Sequence, residues 1–277
     1  MTDWPDLTQE LDAWAADGTA VTLWWRDDDA VEPTPALEHL LELTVRHGVP
    51  LALAVIPGRA SLALAARIAA TSDTIVPVQH GFAHRNHAQP PARKAELGAD
   101  RPATVVCEEL ARGQARMAAL FGARAMPFLV APWNRIDGGV IAALPGLGYR
   151  ALSTYDARPA THAAPGLAQV NCHLDIMRWT ASRGFAGDAV ALKRLLHHLR
   201  ARRSGAVDAT EPTGLLTHHA AHDAESWIFL DRLLMVLRAH PAVRFVSIVE
   251  AVQAALSSQE ERPAVQNTAL KSAAGAA

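Results

Sequence analysis

The sequence predicts an α/β domain folded as a (β/α) barrel of mostly parallel strands, and three observations carry that prediction. The chain has 277 residues, half of them hydrophobic and 19% charged, which suits a soluble globule with a sizeable core. Its strand candidates read as near-continuous apolar runs, the pattern of strands buried on both faces of a parallel sheet. About eight such runs alternate with helical patterns over this length, which favours a barrel over an open sheet. An open doubly wound sheet fits the same periodicity, because period does not prove closure.

The elements follow in order. "VTLWW" (21–25) is a strand candidate. "PTPALEHLLELTVRHG" (33–48) reads as a helix, with Thr34 as cap, Pro35 in the first turn and Gly48 as stop. A buried strand (49–57), a helix (60–71), a strand (74–79) and a long helix (103–122) come next. A strand (126–132), a short helix capped by Asp137 (137–148) and strands at 149–155 and 167–176 lead to the second half. There a helix (188–205), a strand (213–219), a helix (224–240) and a last strand "VRFVSIVE" (243–250) run into a terminal helix. Residues 1–256 read as one domain, with no linker and no internal repeat. The polar, Ala-rich segment 257–277 lacks an apolar period and reads as a disordered tail.

Bulk properties exclude several classes of function. A formal net charge of -2 and a sequence pI near 6.7 give no global basic field for nucleic acid or an anionic membrane. Cys107 and Cys172 form no C-x-x-C pair and read as small hydrophobes. The N-terminus "MTDWPDLTQELDAW" is acidic and has no apolar h-region, and no apolar run approaches membrane-spanning length. The expected location is the cytoplasm. Oligomeric state is not legible.

The polar clusters all follow strands. "RDDDA", "QHGFAHRNH", "APWNRID", "HLDIMRW" and "LLTHHAAHD" stand at the C-terminal ends of five strand candidates, so in a barrel they converge on one face. Asp27, Asp28 and Asp29 repel one another unless a metal cation or Arg26 offsets them. His80 and His84 stand four apart and can share a cation on a turn or tight loop. Two imidazoles with one carboxylate make an open divalent-metal site. His87 is a third candidate, in a supporting position around the ligands. His218 and His219 point to opposite sides of their strand, so one of them can face the site as general acid. Trp133 in "APWNR" suits either sugar stacking or plain core. Gly81 leaves room for the chain to turn close to an ion.

These residues, in this order, resemble the polysaccharide deacetylase (NodB-homology) family, the fourth carbohydrate esterase family. The resemblance spans roughly residues 20 to 220 and implies a distorted (β/α) barrel of seven to eight mostly parallel strands. That family carries an Asp pair, H-[ST]-x-x-H, R-x-P-[YFW], D-x-x-D-W and L-x-H motifs. "HGFAH" supplies both histidines, with Gly81 in place of Ser or Thr. The Asp pair maps to Asp28 as general base and Asp29 as metal ligand, with Asp27–Asp28 as the other register. Leu216 and His218 match the fifth motif, and His218 is implied as general acid. Pro132 and Trp133 match the third, but Val130 occupies its arginine position, and Arg135 is the candidate replacement. Trp179 matches the fourth, but Arg178 stands where an Asp orients the acid, and Asp175 is the candidate substitute.

The resemblance implies metal-dependent removal of an acetyl group from an N-acetylated or O-acetylated sugar or related small substrate. It implies one divalent ion on Asp29, His80 and His84, Zn²⁺ first, with Co²⁺, Mn²⁺ and Ni²⁺ also compatible. The partner is a small-molecule or oligosaccharide substrate, with no nucleic acid and no membrane. Two other readings remain open: a barrel that binds a glycan or metabolite without turnover, and a hydrolase of non-sugar amide C–N bonds.

Overall fold

The first element rests on local capping. In the computed structural model, which describes residues 3–180 and 183–260, helix α1 (Trp4–Ala16) starts at Asp3, whose side chain accepts the Asp6 N–H in a capping box. It buries Leu7, Leu11 and Trp14, an i, i+4, i+7 stripe that the sequence reading passed over. Strand β1 (Val21–Ala30) leads to α2 (Pro35–His47), which opens with Thr34 accepting the Leu37 N–H at 3.1 Å and stops at Gly48, φ 60°. Then come β2 (Leu51–Val55), α3 (Leu62–Ala69), β3 (Ile75–His80), α4 (Ala103–Phe121), β4 (Met126–Val130), α5 (Gly138–Ala143) and β5 (Ala151–Ser153). Short strands β6 (His162–Ala164), β7 (Leu167–Gln169), β8 (Leu174–Asp175), β9 (Met177–Arg178) and β10 (Gly184–Phe185) follow. The chain ends through α6 (Asp188–Arg203), β11 (Thr213–Thr217), α7 (Ala224–Ala239), β12 (Val243–Phe245) and α8 (Ile248–Glu260).

The main sheet runs β6-β7-β5-β4-β3-β2-β1-β11-β8, with β12 paired to the start of β1. All its ladders are parallel except β6 with β7, and β9 and β10 form a separate antiparallel pair. Strands β7 and β8 lie on one stretch of chain, 167–175. Its first part pairs with β5 (Ala151↔Ala168), the bridge Tyr155↔Cys172 continues that register, and its end pairs with β11 (Leu215↔Leu174). One stretch therefore brings the two ends of the curled sheet together. The architecture is a distorted (β/α) barrel.

Alternation decides what fills the interior. Trp24 from β1 meets Ala52 and Ala54 of β2, Val76 and Val78 of β3, Phe128 and Val130 of β4, and Leu216 of β11 in one buried cluster, which α8 closes with Ile248, Val252 and Ala255. The Trp24 and Phe128 rings meet edge-on at 6.2 Å. Leu23 and Trp25 point outward into the larger core beneath α1, α2, α6 and α7. Further along β1 the same inward face carries Arg26 and Asp28, both buried. The apolar interior thus grades into charge at the barrel mouth.

Among the boundaries that differ from the sequence reading are those at the ends of β1, β12 and α8. The first strand does not end at 25 but continues through Ala30, so the Asp cluster lies within it. The expected strand 243–250 pairs over Val243–Phe245 alone and turns into α8 at Ile248. Of the expected tail 257–277, residues 257–260 finish α8, and 261–277 lie outside the described residues. Among the described residues no helix is long and apolar enough to cross a membrane.

Candidate active site

Each carboxylate of the Asp run has its own partner. Asp27 points away from the barrel axis, fully buried, accepting from Thr217 Oγ1 at 2.6 Å and the His219 backbone N–H at 3.0 Å, with His219 Nδ1 against its other oxygen. Burial pushes its carboxyl up, but the charge and hydrogen bond of His219 outweigh that and hold it below the ordinary value. Asp28 points inward, where Arg26 meets both its oxygens: Nε lies 2.9 Å from Oδ1, and Nη2 donates to Oδ2 at 3.0 Å. Arg26 is itself fixed by donating to Ser153 Oγ at 2.7 Å and Asn134 Oδ1 at 2.9 Å. Asp29 should point away from Asp28 by strand alternation. Instead the β1–β2 register slips between Asp27 and Ala30, Asp29 takes φ 75°, and this bulge turns its carboxylate to the site.

There Asp29 Oδ1 lies 3.3 Å from His80 Nε2 and 3.4 Å from His84 Nε2. His80 Nδ1 lies 3.2 Å from the Val130 carbonyl, which only accepts, so Nδ1 carries the ring proton and Nε2 presents its lone pair. Asp29 Oδ1 is a buried oxygen that makes no hydrogen bond among the described residues. Three ligand-type atoms within 4.8 Å of one another, two imidazole nitrogens and a carboxylate oxygen, fit a divalent cation of the borderline class. The imidazoles are unequal. Burial lowers both, but Asp28 and Asp29 outweigh it at His80 and hold it above the ordinary value, while burial and His80 leave His84 below.

His218 follows β11 on the inward face, with Nε2 3.9 Å from Asp28 Oδ2. Trp179 stands edge-on to its ring at 4.6 Å. Asp175, expected to orient His218, makes no hydrogen bond or ion pair with it among the described residues. Its Oδ1 accepts from the Met177 N–H at 2.8 Å and its Oδ2 from Trp179 Nε1 at 2.7 Å. The Trp179 ring stands between Asp175 and His218, and His218 Nδ1 makes no hydrogen bond among the described residues. Arg135 is the candidate replacement for the third motif's arginine. It donates to the Lys94 carbonyl at 2.9 Å, and the cation on Asp28 is Arg26, two residues back on the same strand face. Period two alone, with Arg26 and Asp28 on one side, is the signal that finds it.

Pro132 is buried beside Gly81, and Trp133 lies against His84 with ring centroids 4.2 Å apart. His87 donates its backbone N–H to the Ala95 carbonyl at 2.9 Å, and its half-buried ring makes no hydrogen bond or ion pair among the described residues. The space beside Gly81 is filled by Glu96 and Pro132: a Cβ there would meet Glu96 Oε2 at 2.0 Å and Pro132 Cγ at 2.4 Å. Asp29, His84, Trp133 and Asn134 make up four of the five non-glycine residues with positive φ among those described, which concentrates backbone strain at this one place.

A second set, His173, His198 and Glu211, also brings three ligand-type atoms within 4.8 Å. Its rings stack with planes 12° apart and centroids at 3.4 Å, so their lone pairs run side by side and do not converge. The Gly214 N–H donates to His173 Nδ1 at 2.9 Å, which puts the ring proton on Nε2. This is the chemistry of a neutral stacked pair, not of a chelate.

No protein-family profile matches the sequence, and no curated protein matches it. Solved structures do. A protein assigned as a polysaccharide deacetylase from Mycobacterium smegmatis aligns with TM-score 0.62 at 14% identity, over 88% of this chain and 93% of that one. The chain has the NodB-homology fold of carbohydrate esterase family four. A family-four acetyl xylan esterase from Clostridium thermocellum, solved with a cobalt ion, aligns with TM-score 0.51 at 13% identity over 87% and 93%. A mutant of a family-four pseudoenzyme aligns with TM-score 0.55 at 13% identity over 84% and 67%. The fold is therefore shared by proteins described as enzymes and by one described as inactive, and the side chains must carry the functional argument.

Proposed function

We propose that this protein is a metal-dependent hydrolase that removes an acetyl group from an N-acetylated or O-acetylated sugar or related small substrate. The observation that carries this reading is the separation of the Asp run. Asp28 faces His218 across 3.9 Å, directly beside the Asp29, His80 and His84 set. A divalent ion held by those three would supply a Lewis acid for the acyl oxygen and for water. Zn²⁺ is the first choice, and the cobalt ion of the Clostridium neighbour belongs to the same ligand class.

The chain's own groups divide the proton work. Asp28, gripped by Arg26, accepts the proton of the attacking water, whose oxygen bonds to the acyl carbon. His218 Nε2 gives a proton to the departing nitrogen or oxygen, and acetate is released. Trp133 lies against His84 and Trp179 against His218, and both offer an aromatic surface to a sugar ring. A cytoplasmic location with a soluble or precursor substrate is part of the proposal, and activity recovered outside the membrane would overturn that part.

One observation favours a second reading, a barrel that binds its ligand without turnover: among the described residues no carboxylate bonds to His218 Nδ1 to orient it. Purified protein repleted with Zn²⁺ or Co²⁺ separates the two. The expected result is one ion per chain, lost in Asp29→Asn and His80→Ala but kept in Asp27→Asn. Acetate release from acetylated sugars should fall roughly 10²- to 10⁴-fold in Asp28→Asn and His218→Ala, with the ion retained. A wild type that takes no ion sinks the proposal. An ion without acetate release favours the binding barrel, and turnover confined to small cyclic amides moves the substrate class.

A further inference from the structure

His84 stands on a turn that its own sequence does not support. It has φ 54°, in the left-handed region that a side chain disfavours, and the preceding Gly81 has φ 53°. The residue that satisfies this turn comes from outside it. Glu96 is 1% exposed, and both its carboxylate oxygens are occupied by backbone N–H groups of the turn. Phe82 donates to Oε2 at 3.1 Å, and Ala83 and Arg85 donate to Oε1 at 2.8 and 3.3 Å. Gly81 lacks the Cβ that would occupy the position of Oε2. The donors thus bracket His84 on both sides, and an anion is what three converging N–H groups require.

We infer that Glu96 is a positioning residue: it clamps the 81–85 turn and thereby sets the Nε2 of His84 at the cation site. The inference rests on the metal reading of the Asp29, His80 and His84 set, and it assigns work to a residue outside every motif that suggested that set. The Glu96 segment is well placed to act as a fixed brace. Leu97 bridges to Ile136, its carbonyl accepts the Asp137 N–H at 2.8 Å, and Arg101 donates to the Glu96 carbonyl at 2.9 Å. The turn has a separate tether, the Gly58 N–H to the Phe82 carbonyl at 2.8 Å, so loss of the carboxylate loosens the turn without detaching it. Glutamine cannot replace glutamate here, because its NH₂ would face an N–H donor whichever way the amide is turned.

The test compares wild type, Glu96→Gln, Glu96→Ala, His84→Ala and the double variant Glu96→Gln/His84→Ala, each checked for fold by circular dichroism. Co²⁺ is titrated and read by its visible absorption. Glu96→Gln should weaken Co²⁺ binding roughly 10- to 100-fold, as loss of a ligand's outer support does, and Glu96→Ala by at least as much. In the His84→Ala background Glu96→Gln should cost nothing further, because the clamp acts through His84. Equal losses in both backgrounds, or wild-type affinity in Glu96→Gln, overturn the inference. Amide exchange of Phe82, Ala83 and Arg85 in metal-free protein judges the clamp alone: it should speed up at least tenfold in Glu96→Gln, and unchanged exchange overturns it. A wild type that binds no Co²⁺ removes the metal reading and the role through His84, which a failed exchange result by itself does not.

Discussion

Arg26 decides whether three consecutive carboxylates can serve chemistry. Fully buried, it meets both oxygens of Asp28 and spends its remaining donors on Ser153, Asn134 and the Thr154 carbonyl. Lysine is a point charge that cannot match this fork. Arg26→Lys should retain the metal ion but lower kcat for acetate release roughly 10- to 100-fold, with KM little changed. Arg26→Met leaves a buried carboxylate without its guanidinium and should cost about 3–5 kcal/mol of stability. Metal analysis, steady-state kinetics and urea melts check these outcomes, and a Lys variant with wild-type kcat removes Arg26 from the mechanism. At this scale the sequence is legible where period two applies, since it sets Arg26 and Asp28 on one face. It is blind where period two is broken. The inward turn of Asp29 needs a bulge and φ 75°, which no residue type in "RDDDA" announces. Arg135 is nearer in sequence to the lost motif position than Arg26 is, but the barrel puts Arg26 on Asp28.

Elements were legible because apolar runs and caps are local. Helix α2 opens at Thr34 and stops at Gly48 as its sequence dictates. What stayed hidden are contacts between elements, and α4 against β3 is the clearest case. Gln79 points outward from β3 and is buried against α4. Its Nε2 donates to the Gly81 carbonyl at 2.9 Å and the Leu110 carbonyl at 3.2 Å, and its Oε1 accepts from Tyr149 at 2.8 Å. Gly113 on α4 leaves room for it, since a Cβ there would stand 2.1 Å from Gln79 Nε2. Inside a helix Gly→Ala ordinarily gains about 0.5–1 kcal/mol. Gly113→Ala should instead cost about 1–3 kcal/mol by forcing this amide aside. Because Gln79 precedes His80 and holds Gly81, metal affinity should fall as well. Thermal melts and metal titration check both effects, and a Gly113→Ala protein as stable as wild type refutes the close approach of α4 to β3.

For the whole molecule, the sequence reads 167–176 as one strand, and the structure uses that stretch to join β5 to β11 and close the barrel. Periodicity did not reveal this, because closure depends on which partners each half of the strand finds. The seam carries the stacked pair of His173 and His198 with Glu211. Burial, with the nearby Arg202 and Arg158 guanidinium groups, pushes His173 down to about 3. Burial, with His173 and Arg202, pushes His198 down to about 2. Burial raises Glu211 to about 7, against the opposing charge of Arg158. The signs oppose each other. The two histidines bind protons only when unfolded, so the stability they give is complete above their unfolded value near 6.5 and declines as pH falls toward 3 and 2. Glu211 binds its proton when folded, so its contribution is complete below 4.5 and is lost as pH rises through about 7. Between 4.5 and 6.5 the unfolded chain therefore holds two protons on these groups and the folded chain one. Their net effect is stability rising with pH by about 1.4 kcal/mol per unit. Urea melts across this window should show that slope change with the variants. Glu211→Gln removes the folded-state proton and should roughly double the contribution to the slope, whereas His198→Phe should bring it near zero. If both variants follow the wild-type slope, the barrel seam is not held by a neutral histidine pair.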